Sequence, residues 1–384
     1  MDGGTRFIHT ADWQIGLRAH HVPGDHGAAV RLARYDTVKR IAEVARHAEA
    51  DFAVVAGDVF EHHALDREPL QQAFEALRAF PCEVFLLPGN HDPYTPDALY
   101  RSDWWKRECP PHVKVLGRRQ PVDVAVGGAT LLPCPLLERH SHDPTAWLGP
   151  SVGPSDRIRV GVAHGGVSEI LQKLVADEEA EFHNDIPIGL SERARLDYLA
   201  LGDWHGQVRV NERTWYSGTP EPTRFKERDP GNVLLVEIDR TRAAPKVSPH
   251  RVARFTWLRL ACTLNTAEDV AALERQLDEL PGRSETLVEL TLEGRLDLAL
   301  RARVEHEILD RYRGIFPHLR VRDEKLLVRL TDQDIDRLPH DGWIGQVVDR
   351  LRKGIDGRTP EECQEALQAL SEIHLRTVSA GGVR

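Results

Sequence analysis

The sequence predicts an α/β domain in its first half, and three observations carry that prediction. Short apolar runs alternate with amphipathic helical patterns from the start of the chain. Five short polar clusters rich in Asp, His, Asn and Gly each follow one of the apolar runs. At 384 residues with 41% hydrophobic content, the chain is long enough for a large domain and smaller additions.

Residues 6–10 read as a strand and residues 30–48 as a helix, with Val38, Ile41, Ala42, Ala45 and Ala48 on one face. Residues 52–56 form a near-continuous apolar run, the mark of a strand buried on both faces. A helix over 69–80 and a strand over 84–87 complete a βαβαβ unit with right-handed crossovers. Strands follow at 113–116, 122–126, 130–133, 159–163, 199–201, 215–217 and 233–238, with Gly127-Gly128 as a hairpin turn. Residues 136–156 and 177–189 read as loops. We assign residues 1–246 to the first domain.

A second domain is expected over 247–330. It reads as a strand at 255–263, a helix capped by Thr266, a strand at 286–292, a helix over 297–316 and a strand at 319–330. Residues 331–384 read as a helical tail in which Trp343, Val347 and Leu351 recur every four residues. These residues either fold back on the body or offer an apolar face to a partner.

Composition excludes several classes. The five cysteines are odd in number and lack paired spacing, so neither a disulfide framework nor a thiolate zinc site is expected. The N-terminus has no apolar signal region and no run is long enough to span a membrane, so a cytoplasmic protein is expected. A net charge of −10 weighs against a nucleic-acid partner, although only a local basic surface decides that. Residues 207–259 hold eleven Lys and Arg against six acids, a surplus of five. By itself such a run is usually a solvated surface.

The chemistry lies in five segments: HTADWQIG at 9–16, VVAGDVF at 54–60, LPGNHD at 87–92, VAHGG at 162–166 and LGDWHG at 201–206. Ligands of open α/β sheets bind beyond the carboxyl ends of the strands, so these five can meet at one site. Asp12, Asp58, Asn90, His164, Asp203 and His205 offer carboxylate, amide and imidazole donors without thiolate, a set that suits Mn, Fe, Zn or Mg. So many ligands exceed the needs of one ion, whereas two ions sharing a carboxylate would use them. Two metals ~3.5–4 Å apart clamp the attacking and leaving oxygens of a phosphoryl displacement. Taken singly, GNHD is a turn and His164 a core histidine; the order and placement of all five segments favour the metal site. The pairs His20-His21, His62-His63 and His140/His142 are read as surface or substrate-contact residues, and Trp13 and Trp204 as walls of the site.

Gly57-Asp58, the GNHD at 89–92, His164 and His205 resemble the signature of the calcineurin-like metallophosphoesterases. IHTADWQIG near the N-terminus, GDVF followed by Glu61, and YLALGDWHG followed by WYSGTPEP resemble the SbcD-type DNA repair nucleases of that superfamily, bacterial relatives of the meiotic-recombination-eleven nuclease. The resemblance implies an α/β sandwich with a small α/β cap, which would contact DNA, and a helical tail that binds a partner. It implies two divalent ions, one held by Asp12, Gln14, Asp58 and His205 and the other by Asp58, Asn90, His164 and Asp203. His91 would stabilise or protonate the leaving oxygen, and Asp92 would orient His91. Arg224 and Lys226 are assigned to substrate binding. The implied activity is 3′–5′ exonuclease and single-strand endonuclease cleavage of DNA, with an SbcC-type coiled-coil ATPase as partner and a homodimer left open. The alternatives are a phosphodiesterase or phosphatase on small nucleotides or phosphoproteins, and a DNA-binding scaffold with an impaired site.

Two positions depart from the pattern. The usual D-x-H is Asp12-Trp13-Gln14, and the usual G-H-x-H is Gly202-Asp203-Trp204-His205. Each exchanges a nitrogen donor for oxygen, which shifts the expected metal from Zn towards Mn or Mg, with Fe also open.

Overall fold

A computed structural model describes residues 3–20, 22–174, 184–329 and 342–353 and seven positions between 359 and 370. The chain divides into two compact units, Met1–Thr256 and Trp257–Arg384.

The first unit runs β1 (Thr5–Thr10), α1 (Gly24–His47), β2 (Phe52–Val55), α2 (Arg67–Leu77), β3 (Glu83–Leu86), α3 (Asp103–Glu108) and β4 (Val113–Val115). Next come β5 (Val122–Asp123), β6 (Ala129–Cys134), β7 (Ile158–His164), α4 (Ser168–Leu171), α5 (Leu190–Arg193) and β8 (Tyr198–Gly202). It closes with β9 (Val208–Arg209), β10 (Thr214–Tyr216), β11 (Asn232–Ile238) and β12 (Lys246–Arg251). One sheet has the order β12-β11-β1-β2-β3-β4 and the other β5-β6-β7-β8-β10-β9. The neighbours β1-β2-β3-β4 and β6-β7-β8-β10 are parallel.

The period-two alternation of a strand explains the layering. Ile8, Val55, Val84 and Leu86 face α1 and α2, where they meet Val38, Ile41, Phe74 and Leu77. Phe7, Phe52, Val54 and Phe85 face the other way, onto Val160, Val162, Tyr198 and Ala200 of the second sheet. Phe7 and Phe52 stack with ring centroids 4.7 Å apart. Both faces of the central strands are therefore apolar, and their sequences read as unbroken hydrophobic runs.

His9 joins the two sheets near their carboxyl ends. Its Nε2 lies 3.2 Å from the Leu201 carbonyl and its Nδ1 3.0 Å from the Tyr198 hydroxyl. The carbonyl must accept, so Nε2 carries the proton and Nδ1 takes the tyrosine's. His164, at the end of β7, crosses the same gap, with Nδ1 donating to the Ala56 carbonyl at 2.8 Å. Gly57 makes that approach feasible: at φ +99° a Cβ there would stand 2.0 Å from His164 Nδ1.

Helix α1 starts at Gly24, after Pro23, rather than near residue 30, because residues 24–29 carry no apolar period to reveal it. The strand expected over 122–126 is only Val122–Asp123. Residues 246–251 pair antiparallel with β11, Glu237 opposite Lys246, as an edge strand of the first unit. The second unit therefore starts at Trp257 and not at 247; Pro249 and His250 disguised the strand.

In the second unit β13 (Thr256–Leu264), β14 (Thr286–Asp297) and β15 (His318–Arg329) form one sheet. It packs on α6 (Ala267–Asp278), on α8 (Asp310–Arg313) and on the helical segment that joins α8 to α7 (Leu298–Arg303), through Val270, Leu273, Val288, Leu290, Ile308 and Tyr312. Thr266 and Asp269 form a reciprocal capping box on α6. The single helix expected over 297–316 contains a π-helical segment, Val304–Leu309. Helix α9 (Gly342–Lys353) packs Val348 against Leu367 and Leu370, while Trp343 is 64% exposed. The remaining tail, residue 330 and residues 175–183 of the second expected loop lie outside the described residues. No described helix is long and apolar enough to cross a membrane, and all five cysteines are free thiols.

Two expectations follow. Burial lowers the pKa of His9 to about 3, against the pull of the Leu201 carbonyl. The unfolded chain then protonates first below pH 6.5, so stability present above that pH is lost as pH falls towards 3. His9 alone should cost about 1.4 kcal/mol per pH unit in that window. In urea titrations, His9→Gln should lose about 2 kcal/mol less than wild type between pH 6.5 and about 5. Gly57→Ala, strained at positive φ and aimed at His164, should lower stability by about 2 kcal/mol or more by the same measurement.

Candidate metal centre

Tight turns follow β1, β2 and β8, and they bend the backbone in an unusual way. Asp12, Gln14, Asp58 and Asp203 all have positive φ, at 54°, 44°, 53° and 95°. Such a conformation costs of order 1–3 kcal/mol at a non-glycine residue and persists only where surroundings impose it. Here the turns lock each other: Asp12 N–H donates to the Gly57 carbonyl at 3.0 Å and Gln14 N–H to the Asp58 carbonyl at 2.9 Å. A Cβ at Gly89 would stand 2.2 Å from Asp58 Oδ1, so the GNHD turn can lie against Asp58 only with glycine there.

Asp12, Asp58 and His164, all buried, present ligand atoms within 4.8 Å of one another. Around them, His164 Nε2 lies 2.8 Å from Asn90 Oδ1, 3.4 Å from Asp58 Oδ1 and 3.8 Å from Asp203 Oδ1. Asp203 N–H donates to Asp12 Oδ1 at 3.1 Å. On the other flank the Gln14 amide lies 3.3 Å from His205 Nε2. The structure thus brings together Asp12, Gln14, Asp58, Asn90, His164, Asp203 and His205.

This donor set fits divalent cations. His164 Nδ1 is spent on Ala56, so the lone pair of neutral Nε2 faces the oxygens of Asn90, Asp58 and Asp203. Acceptors facing acceptors are stable only with a proton or a cation between them. Charge balance points the same way. Burial lifts the Asp12 carboxyl to about pKa 7, against His164 and His205. Burial likewise raises Asp203. It opposes ionisation of Asp58, but His164 and His91 hold that carboxyl below its usual range. For His164, burial is outweighed by Asp58, Asp12 and Asp203, which lift its pKa well above that of a free imidazole. An excess of buried carboxylates is relieved by positive charge.

His91 sits at the rim. Its N–H donates to Asp58 Oδ1 at 2.9 Å, and its ring Nδ1 faces the Glu61 carbonyl at 3.1 Å, leaving Nε2 towards the site, 3.9 Å from Asp58 Oδ2. Asp92 does not orient this ring as expected. It is fully buried and accepts from Gly89 N–H, Phe60 N–H and the Tyr100 hydroxyl, at 2.8, 3.0 and 2.5 Å. Asp92 therefore fixes the GNHD turn, while Glu61 supplies the contacts of His91, its Oε1 3.7 Å from Nδ1.

A cleft of about 570 Å³ opens beside the centre, lined by residues that include Gln14, Arg18, His20, Glu61, His62, His91 and Arg224. Lys226 is exposed and not part of its lining. His63 is structural, bonded to the Pro93 carbonyl and Leu99 N–H; His140 and His142 are at the surface, and His21 lies outside the described residues. Trp13 is a core residue, 1% exposed and stacked on Phe80, and Trp204 packs into the outer cluster of the second sheet, so neither wall expectation holds.

Three acidic or basic residues of the site escaped the sequence. Glu227 binds His205 Nδ1 at 2.7 Å and outweighs burial to raise that imidazole's pKa. Glu221 is 1% exposed and accepts from Thr37, Arg254 N–H and Phe255 N–H. Arg34, also buried, donates to the carbonyls of Trp13 and Pro222, tying the turn after β1 to the loop after β10. Only the position of both glutamates just after the last polar segment hinted at this; in a charge count they were surface acids.

The chain is 24% identical over 319 residues to the DNA double-strand break repair protein Mre11 of Methanosarcina acetivorans, covering 78% of this chain and 47% of that protein. It is 35% identical over 121 residues to Mre11 of Archaeoglobus fulgidus, 30% of this chain and 26% of that one. The uncharacterized metallophosphoesterase YhaO of Bacillus subtilis is 23% identical over 381 residues, 90% of this chain and 87% of its own length. The chain thus spans about half of the first Mre11 protein. The profile of the calcineurin-like phosphoesterases matches residues 5–236, the stretch that holds every strand-end turn described above, and the chain belongs to that family of phosphoester hydrolases.

Proposed function

We propose that this phosphoesterase is a DNA repair nuclease using two divalent cations, with 3′–5′ exonuclease and single-strand endonuclease activity. The observation that carries the reading is the convergence of Asp12, Asp58, Asn90, His164 and Asp203 from five strand ends beside an open cleft. Its similarity to two Mre11 proteins supports DNA as the substrate.

Asp12, Gln14, Asp58 and His205 would hold one cation, and Asp58, Asn90, His164 and Asp203 the other, with Asp58 shared. When bound, these ions polarise the phosphoryl oxygens and lower the pKa of water. Glu227 keeps the His205 ring turned with Nε2 inward, as carboxylates commonly do for ligating imidazoles. His91 holds its Nδ1 proton on the Glu61 carbonyl and presents Nε2; as an imidazolium it would stabilise the leaving oxygen or give it the Nε2 proton, returning to the neutral ring. Oxygen at positions 14 and 203 favours Mn over Zn. By the same resemblance the second unit acts as a DNA-contacting cap, and α9 with its exposed Trp343 receives an SbcC-type ATPase.

With Mn2+, labelled single-stranded DNA should be cut, and His91→Ala and Asn90→Ala should each lower the rate by about 100-fold or more. Turnover of a small phosphodiester alone would favour the small-substrate reading, and inert protein that still retards DNA would favour a scaffold. Metal analysis after purification should find manganese in preference to zinc, and Gln14→His with Asp203→His should raise the retained zinc several-fold. Tightly held zinc in the unaltered chain, with no activation by manganese, would overturn the assignment.

A further inference from the structure

The cleft beside the metal centre has features that the metal centre itself does not use. Its volume of about 570 Å³ falls in the range of small-ligand sites. Two arginines line it, Arg18 from the loop after β1 and Arg224 from the loop after β10. Among the described residues the Arg18 guanidinium has no hydrogen bond or ion pair; only its carbonyl is used, by Arg31. The Arg224 side chain is 62% exposed, and the acid nearest it, Glu227 at 3.8 Å, is already paired with His205. The Arg224 Nε also reaches Thr223 Oγ1 at 3.4 Å, so it is the Arg18 guanidinium and the two terminal nitrogens of Arg224 that have no partner among the described residues at this cleft. The wall also carries two buried polar atoms with no partner among the described residues, Glu61 Oε2 and His62 Nδ1. A phosphate monoester would answer the arginines only. A nucleotide answers both, because it brings phosphate oxygens together with the N–H donors and ring acceptors of its base.

We infer that this cleft is a subsite for the nucleotide adjoining the scissile bond, with Arg18 and Arg224 gripping its phosphate. The inference rests on the DNA reading above and deepens it. Arginine suits the task because its fork matches two phosphate oxygens. Ala19, between Arg18 and His20, is buried at φ +47°, which fixes the loop that presents both neighbours.

The test is the salt dependence of binding to a hydrolysis-resistant phosphorothioate single strand, with the Mn2+-loaded full chain and fluorescence anisotropy as readout. Each phosphate contact contributes ~0.7 to the slope of log K against log salt for single strands. Arg18→Ala and Arg224→Ala should each reduce the slope by about that amount and the double variant by about 1.4, while Arg18→Lys should keep most of it. For hydrolysis, the ratio of kcat/KM on an oligonucleotide to that on a small diester should fall about ten-fold or more in the double variant. Wild-type slopes in both alanine variants, given a wild type that binds and cuts DNA, would overturn the subsite alone. A wild type with no salt-dependent binding would overturn the DNA reading and the subsite with it. Unchanged thermal melting of the variants excludes misfolding as the cause of any loss.

Discussion

The architecture depends on holding like charges together where water cannot screen them. Asp12, Asp58 and Asp92 are each no more than 2% exposed, and Asp203 joins them at the rim. Left alone, such a group would take up protons or separate. The chain prevents separation through its backbone. Four site residues sit at positive φ in turns that hydrogen-bond to one another, and glycines at 57 and 89 let neighbouring segments approach within what a Cβ would forbid. The strain is borne by the sandwich, whose apolar interior pins the strands feeding each turn.

The two sheets play different parts. The first supplies Asp12, Asp58, Asn90 and His91; the second supplies His164, Asp203 and His205. Register between them decides whether the ligands meet, and polar contacts across the gap set it. His9 reaches Leu201 and Tyr198, while His164 reaches Ala56. Burial keeps His9 neutral, which suits a ring that donates from one nitrogen and accepts at the other. The same residue type thus staples the fold at one position and faces the candidate centre at another, the difference being whether both nitrogens are satisfied by protein.

Around the centre, carboxylates act as orienting groups. Glu227 turns His205, and Asp92 ties the GNHD turn to Phe60 and Tyr100. Glu221 fastens α1 and the segment leading to the second unit to the loop after β10. Two of the six acids in residues 207–259, Glu221 and Glu227, therefore have buried side chains rather than facing solvent, and arginines such as Arg213 are used to cap carbonyls.

By itself the sequence determined the α/β class, the central strands and the members of the candidate centre. Near-continuous apolar runs identify buried parallel strands, and oxygen and imidazole donors just beyond their ends can serve one site only if the strands align. The helices α2 and α6 were legible for a similar reason, since their apolar period and, for α6, the Thr266 cap are local signals. Tertiary structure alone decided what depends on distant partners. Arg34 bonds a carbonyl 188 positions away, and Glu227 meets an imidazole 22 positions before it. Asp92, adjacent to His91 in sequence, points into the core because successive side chains of a turn diverge. Residues 246–251 became an edge strand through pairing with β11, although Pro249 masked their pattern. Periodicity and residue type report local preference, whereas burial, pairing and the orientation of a side chain are set by what the fold places opposite it.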